Sequence, residues 1–206
     1  KTQEETDPEV KDPKEKDPEA TDPEADTPEL YELAAQIALE MDEQITSYRA
    51  KGAFFDDVEE DYWYASAAGF HLSKGLIVGT GNNIFAGTDL FCRAQVVTIL
   101  HRMSGSPAIA YSPSFPDVED GNFYTTAVMW ASSPEVGVIK GYENGLFGPV
   151  DGLTREQLAT MLYRYAACLG KDTASEISLV RFPDRGLVSG FAEDAMKWAV
   201  QNGIIQ

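Results

Sequence analysis

The chain has 206 residues, 34 acidic and 16 basic side chains, and a formal net charge of −18. An apolar fraction of 43% can build a core, which excludes a wholly disordered chain. The acidic balance argues against nucleic acid or an anionic membrane surface as partner, no run reaches the roughly 18 apolar residues of a membrane-spanning helix, and two cysteines cannot form a dense disulfide framework.

The chain opens on Lys1 with no charged-then-apolar leader and reads as a piece of a longer or processed protein. Residues 1–28 are expected to be a disordered acidic linker. Asp-Pro pairs recur at Asp7, Asp12, Asp17 and Asp22, and each proline removes a donor and disfavours helix at the residue before it. Over residues 1–29, five Asp and seven Glu stand against four Lys, a net of −8 with almost nothing apolar to offset the entropy of ordering. Residues 29–52 are predicted to form an amphipathic helix, capped by Thr27 with Pro28 at its first position. Its stripe of Leu30, Leu33, Ala34, Ile37, Met41, Ile45 and Tyr48 is expected to face the core, with a partner site as the alternative, and Gly52 is a plausible stop.

The remainder repeats. Phe55-Asp56-Asp57-Val58 overlies Phe115-Pro116-Asp117-Val118 at an offset of 60, which also pairs Trp63 with Phe123, Tyr64 with Tyr124, Ala67 with Ala127 and Phe70 with Trp130. A two-residue insertion moves the offset to 62, matching Gly75–Gly79 with Gly137–Gly141, Phe85 with Phe147, Arg93 with Arg155 and Arg102 with Arg164. A third copy starts at Phe182-Pro183-Asp184 and runs through Phe191, Ala195 and Trp198 to Gly203-Ile204-Ile205, half a unit. Repeats are therefore assigned to 53–110 and 111–175, with a partial one at 176–206.

Each repeat reads as helix, loop, helix. Trp63, Ala67 and Phe70, with Phe123, Ala127, Trp130 and Phe191, Ala195, Trp198, fall at i, i+4, i+7 and are expected on one helix face, mostly as core. The following glycine is expected to end that helix in a left-handed conformation. The second helix starts near Arg93 or Arg155. Its inner face is Val96, Val97, Leu100 and Met103, or Leu158, Met161, Leu162 and Tyr165. Units this small bury their apolar faces only by packing on one another.

These motifs resemble the S-layer homology (SLH) family, over residues 54–206. Phe-x-Asp-Val, the Trp-Tyr helix, Gly-hydrophobic-hydrophobic-x-Gly, and a Thr-Arg-Ala-Glu-like helix start recur in order. The resemblance implies an all-α, pseudo-threefold bundle of tandem repeats. It also implies a non-catalytic module that anchors surface proteins to bacterial cell-wall polysaccharide, in some cases pyruvylated, with the arginine of the last motif contributing to recognition. Two copies of that motif are present, Cys92-Arg93-Ala94-Gln95 and Thr154-Arg155-Glu156-Gln157, and Ala86-Gly87 replaces the usual x-Pro that Gly148-Pro149 keeps. The expected placement is extracellular, at the wall or S-layer of a Gram-positive bacterium, with an upstream cargo domain and no membrane insertion.

The candidate ligand set is Arg93 and Gln95 in the first copy and Thr154, Arg155 and Glu156 in the second. Trp63, Tyr64, Phe123 and Tyr124 are candidate rings for stacking on sugar. Thr154 and Gln157 make a capping box that puts Arg155 in the first helical turn, where free N–H groups and the helix dipole already favour an anion. A guanidinium there suits a carboxylate bidentately. Cys92 caps less well than Thr, by about 1 kcal/mol, so the Arg155 site is expected to be the better formed. The alternative for both arginines is an ion pair at the helix start, to Asp89 or Asp151. Asp57, Asp117 and Asp184 are expected to cap the helices or turns that come after them, Cys92 and Cys168 to be free, and His71 and His101 to lie on helix surfaces. No nucleophile elbow, phosphate loop or metal motif is present, and Asp117–Asn122 lacks the glycine and glutamate spacing of a calcium loop. Neither a cofactor, a metal nor a catalytic residue is expected. A second function class remains open: degenerate repeats acting as a protein–protein scaffold in a surface assembly. A final expectation concerns the helix at 28–51. It precedes Phe55 at the spacing by which the Arg93 helix precedes Phe115, and is a candidate to stand in for the missing last helix.

Overall fold

Tyr64 and Tyr124 hold the N-cap positions of two short helices, α1 (Ala65–Ser73) and α3 (Thr125–Ser132). The second helices of these repeats are α2 (Arg93–Met103) and α4 (Arg155–Cys168), and the third repeat contributes α5 (Glu193–Gln201). The computed structural model describes residues 42–51 and 54–206. The linker at 1–28, the start of the helix predicted over 29–52, and its stop at Gly52 lie outside the described residues; residues 42–51 are helical. Among the described residues the regular elements are all helical, with only two isolated β-bridges, Gly81 with Ile84 and Cys92 with Gly152. The fold is all-α, as expected.

Residues 44–206 form one unit, held together across repeat boundaries. α2 packs on α3 and α4 packs on α5, so the second helix of one repeat buries the first helix of the next. Val97, Leu100, Val128, Val138, Phe147, Met161 and Tyr165 make the main core. Ala159, Ala195, Trp198 and Ala199 make a smaller one. Each large aliphatic or aromatic side chain buried this way is worth about 1.5–3 kcal/mol. The helical stretch at 44–51 meets α1 similarly: the Tyr48 ring stands edge-on to Phe70 at 5.4 Å between centroids. Tyr163 meets Trp198 at 5.9 Å in the same manner, and His101 meets Trp130 at 5.3 Å. Tyr48 thus takes towards α1 the place that α2 and α4 take towards α3 and α5.

Several local expectations hold. Gly75, Gly137 and Gly203 have φ of +66°, +59° and +68°, the left-handed stop expected after each first helix. Val96, Val97 and Leu100 are buried, as are Met161 and Tyr165, whereas Met103 is half exposed. Both cysteines are free.

Others fail, for identifiable reasons. Trp63, Phe123 and Phe191 do not share a helix face with the residues four and seven further on. The α-helices begin at residues 65, 125 and 193, so Trp63 and Phe123 sit in the turn before the helix and Phe191 in a short 3-10 helix, Gly190–Ala192; the rings are 89%, 67% and 59% exposed. Ala127, Trp130, Ala195 and Trp198 are buried, but Ala67 and Phe70 are exposed. His101 is core, not surface: it is buried against Trp130, with its Nε2 2.9 Å from the Pro107 carbonyl.

The aspartates of the Phe-x-Asp motif also act differently from expectation. Asp57 and Asp117 do not cap the adjoining turn or helix; each accepts two N–H groups from a turn about 30 residues on. The Asp57 carboxylate binds Phe85 and Ala86 (2.7 and 2.7 Å), and Asp117 binds Phe147 and Gly148 (2.9 and 2.8 Å). The same turns seat an aromatic ring: Phe85 lies 5.4 Å from Phe55, and Phe147 lies 5.7 Å from Phe115. In the first copy the turn needs φ of +61° at Ala86, where the second copy has Gly148 at +69°. A left-handed alanine is strained, so Ala86→Gly is expected to raise stability by about 0.5–1 kcal/mol and the melting temperature by about 2 °C. A thermal melt in which Ala86→Gly is neutral or destabilising would contradict this account.

Candidate ligand-binding site

Arg93 and Arg155 occupy the same repeat position, the first residue of α2 and α4. Their helix starts are built alike. Cys92 and Thr154 are the extended N-cap residues, and Gln95 and Gln157 return their side-chain oxygens to the N-cap N–H at 2.8 and 3.1 Å. Thr154 Oγ1 completes its box by accepting from Gln157 N at 3.3 Å.

Their surroundings are opposite. Arg93 is 5% exposed. Its Nε donates to the Phe147 carbonyl at 2.7 Å and its Nη2 to the Lys140 carbonyl at 3.1 Å. The guanidinium carbon lies 4.6 Å from the centre of the Tyr142 ring and 4.9 Å from that of Phe147. Burial pushes this guanidinium below its ordinary value, opposed by Tyr142, Asp151 and Asp117. The helix N–H groups of Arg93 and Ala94 are taken as well, by the carbonyls of Asp151 and Pro149, both at 3.0 Å. The amino end of α2 is therefore closed by the loop of the next repeat, and Arg93 ties two repeats together. The alternative, an ion pair to Asp89 or Asp151, is not formed; among the described residues the salt bridge present is Lys197–Glu193.

Arg155 is exposed and lines a cleft of about 350 Å³ between α4 and the third repeat. Among the described residues its side chain has no hydrogen-bond or ion-pair partner, and the N–H groups of Arg155 and Glu156 meet no carbonyl. Phe182, Asp184, Arg185 and Gln206 share the cleft, over an apolar floor that includes Leu179 and Val200. None of these was singled out as a ligand residue from sequence. The signal for Asp184 was its equivalence with Asp117.

Of the other candidates, Thr154 and Glu156 line the same cleft and the rest lie elsewhere. Glu156 binds Ser189, with its carboxylate accepting from N at 2.8 Å and from Oγ at 2.9 Å, which braces α4 against the turn before α5. Gln95 is spent on its cap. The exposed Trp63 ring stands edge-on to Tyr64 at 5.4 Å, and Tyr64 stacks on Phe85 at 5.6 Å. Phe123 stands edge-on to Tyr124 at 5.1 Å. None of these four rings lines the Arg155 cleft. Among the described residues no group of His, Cys, Asp and Glu is arranged to hold a metal, and no helix is long and apolar enough to cross a membrane.

The family model of the S-layer homology domain matches residues 114–159. Residues 114–159 carry an S-layer homology domain. The matched segment begins one residue before Phe115, includes all of α3 and its Asp117-held turn, and ends at Ala159 in α4, so it contains Arg155. Longer matches carry the similarity beyond it. The chain is 28% identical over 145 residues to an endoglucanase of Bacillus sp. (strain KSM-635), covering 70% of this chain and 15% of that protein. It is 24% identical over 155 residues to an exoglucanase of Acetivibrio thermocellus, covering 75% and 14%. It is 27% identical over 119 residues to an S-layer protein of Bacillus licheniformis, covering 57% and 13%. The chain thus spans a small fraction of the length of these curated relatives.

Proposed function

We propose that this chain is a non-catalytic anchor that holds a longer surface protein to cell-wall polysaccharide. The S-layer homology domain and the likeness to S-layer proteins support association with the wall or S-layer. In this reading residues 1–28 are a spacer, 29–52 a helix, and 53–110, 111–175 and 176–206 the two full repeats and the partial third. The cargo belongs to the rest of a longer polypeptide, as the shares of the relatives' lengths allow.

The observation that carries the finer reading is the open amino end of α4. An exposed guanidinium and two helix N–H groups, all without a partner among the described residues, converge with the positive end of a 14-residue helix on one cleft. A sugar carboxylate there would take a bidentate bond from Arg155. The exposed rings of Trp63 and Phe123 would offer stacking surfaces to other sugars of a long polymer. Arg93, buried and committed, takes no part. Arg155→Ala is expected to weaken retention on purified cell walls at least about tenfold, the value of one lost charged hydrogen bond. Retention of Arg155→Ala at wild-type strength would overturn the role of this cleft.

A further inference from the structure

We infer that Asn144 is a site of spontaneous covalent modification. Its side-chain amide closes on the Gly145 backbone nitrogen, releases ammonia, and leaves aspartate or isoaspartate in the turn that leads into Phe147. This goes beyond the wall-anchoring reading and does not rest on it.

The chain holds two Asn-Gly pairs, Asn144-Gly145 and Asn202-Gly203. Glycine in the second place matters because no Cβ shields its nitrogen and its backbone reaches conformations closed to other residues. Asn144 and Gly145 stand exposed in a tight turn, with Gly145 at φ +80°. The space around Gly145 is open: a Cβ placed there would meet no heavy atom within 4 Å. Asn144 Oδ1 accepts the Leu146 N–H at 3.0 Å, so the side chain folds back over the Gly145 peptide. That bond aims a donor at the oxygen on which charge develops when Cγ is attacked. Among the described residues Asn144 Nδ2 makes no hydrogen bond, so nothing retains the leaving group. The Gly145 N–H donates to the Tyr142 carbonyl at 3.0 Å, which slows attack, but a bond in an exposed turn opens readily to water.

Two other asparagines lack this combination. Asn82 is the repeat counterpart of Asn144 at the offset of 62, and Asn83 stands where the second repeat has Gly145. The Asn83 side chain shields its own nitrogen and is tied down, donating Nδ2 to the Phe54 carbonyl at 2.7 Å. Asn202 has its glycine, but its Nδ2 donates to the Trp198 carbonyl at 2.8 Å, which holds the amide against the end of α5.

The chemistry needs only water. Hydroxide takes the Gly145 N–H proton, the nitrogen bonds to Asn144 Cγ, and the Cγ–Nδ2 bond breaks as Nδ2 regains a proton and leaves as ammonia. The cyclic imide then adds water. Opening at Cγ gives aspartate; opening at the main-chain carbonyl gives isoaspartate, whose backbone is longer by one carbon. The turn has no slack for that carbon. It is closed by the Tyr142 N–H on the Leu146 carbonyl at 2.8 Å. It runs straight into Phe147 and Gly148, whose N–H groups Asp117 holds and whose Phe147 carbonyl Arg93 holds.

The test incubates the full chain at mildly alkaline pH and physiological temperature. Peptide mapping by mass spectrometry, with enzymatic methylation of isoaspartate, reads conversion at each asparagine over time. Asn144 should convert at least about tenfold faster than Asn82 or Asn202, the rate equivalent of one hydrogen bond that must first be broken. Asn144→Gln, which would have to close a larger ring, should stay unmodified at that position. Conversion of Asn144 no faster than that of Asn202 overturns the inference. The isoaspartate form, separated by its added charge, should melt at least about 3 °C below Asn144→Asp, which carries the charge without the extra carbon. Equal melting of the two overturns the effect on the turn that Asp117 holds.

Discussion

Arg93→Ala is expected to lower the unfolding free energy by about 4 kcal/mol, whereas Arg155→Ala, at the same repeat position, should change it by less than about 0.5 kcal/mol. The contrast arises from the groups each side chain leaves behind. Removing the Arg93 side chain strips donors from the Phe147 and Lys140 carbonyls, each loss costing about 1–3 kcal/mol, and opens a gap beneath the Tyr142 and Phe147 rings. Removing that of Arg155 releases nothing, since it bonds to nothing among the described residues. Against a total stability of about 5–15 kcal/mol, the first loss should shift the melting temperature down by about 12 °C. Arg93→Lys should recover part of it, because an ammonium reaches one carbonyl but cannot bridge two. Urea unfolding followed by the fluorescence of the buried Trp130 measures all three variants. Equal stability of Arg93→Ala and wild type would mean that Arg93 does not tie the repeats.

Asp117→Ala should be the next most damaging change, at about 3 kcal/mol. It leaves the N–H groups of Phe147 and Gly148 without an acceptor and frees the turn on which Arg93 closes. The effect should depend on pH in a defined direction. Burial pushes the Asp117 carboxyl up, but its bonds from Phe147 and Gly148 and the nearby Arg93 charge outweigh that, and its pKa lies below the ordinary 3.8. Asp57 is held low by the N–H groups of Phe85 and Ala86 against the same opposing burial. A carboxyl depressed in the folded state contributes stability that is fully present above its unfolded pKa and lost as pH falls through the folded value. Wild type should therefore lose stability on acidification below about pH 4, and the gap between wild type and Asp117→Ala should narrow there. Urea midpoints of both proteins at neutral pH and near pH 3 give the result. A gap that stays constant would mean that the carboxylate charge plays no part in holding the turn.

These two residues also mark where sequence reading succeeded and where it stopped. The repeat, its helix–loop–helix form, the left-handed glycines at 75, 137 and 203, and the capping box at Thr154 are local patterns. They depend on helical periodicity and on the φ that glycine alone adopts cheaply, so they were legible in order along the chain. The position of Arg93 and Arg155 at helix starts was legible for the same reason. Their environments were not. Arg93 meets Phe147, 54 residues away, and Asp117 meets Phe147 and Gly148, 30 and 31 residues away. Nothing within a helical turn of either residue announces such a partner. The placement of Trp63 and Phe123 failed on a smaller scale, because helix and preceding turn share one apolar spacing and only the first backbone bond of α1 or α3 separates them.

Sequence alone, then, determined the recurring unit and which of its positions carry charge at a helix start, since both stem from forces between near neighbours. Tertiary structure alone decided that Arg93 is sealed by the loop of the following repeat, while among the described residues Arg155 opens onto a cleft. That outcome turns on which carbonyls a distant loop brings to a helix's free N–H groups.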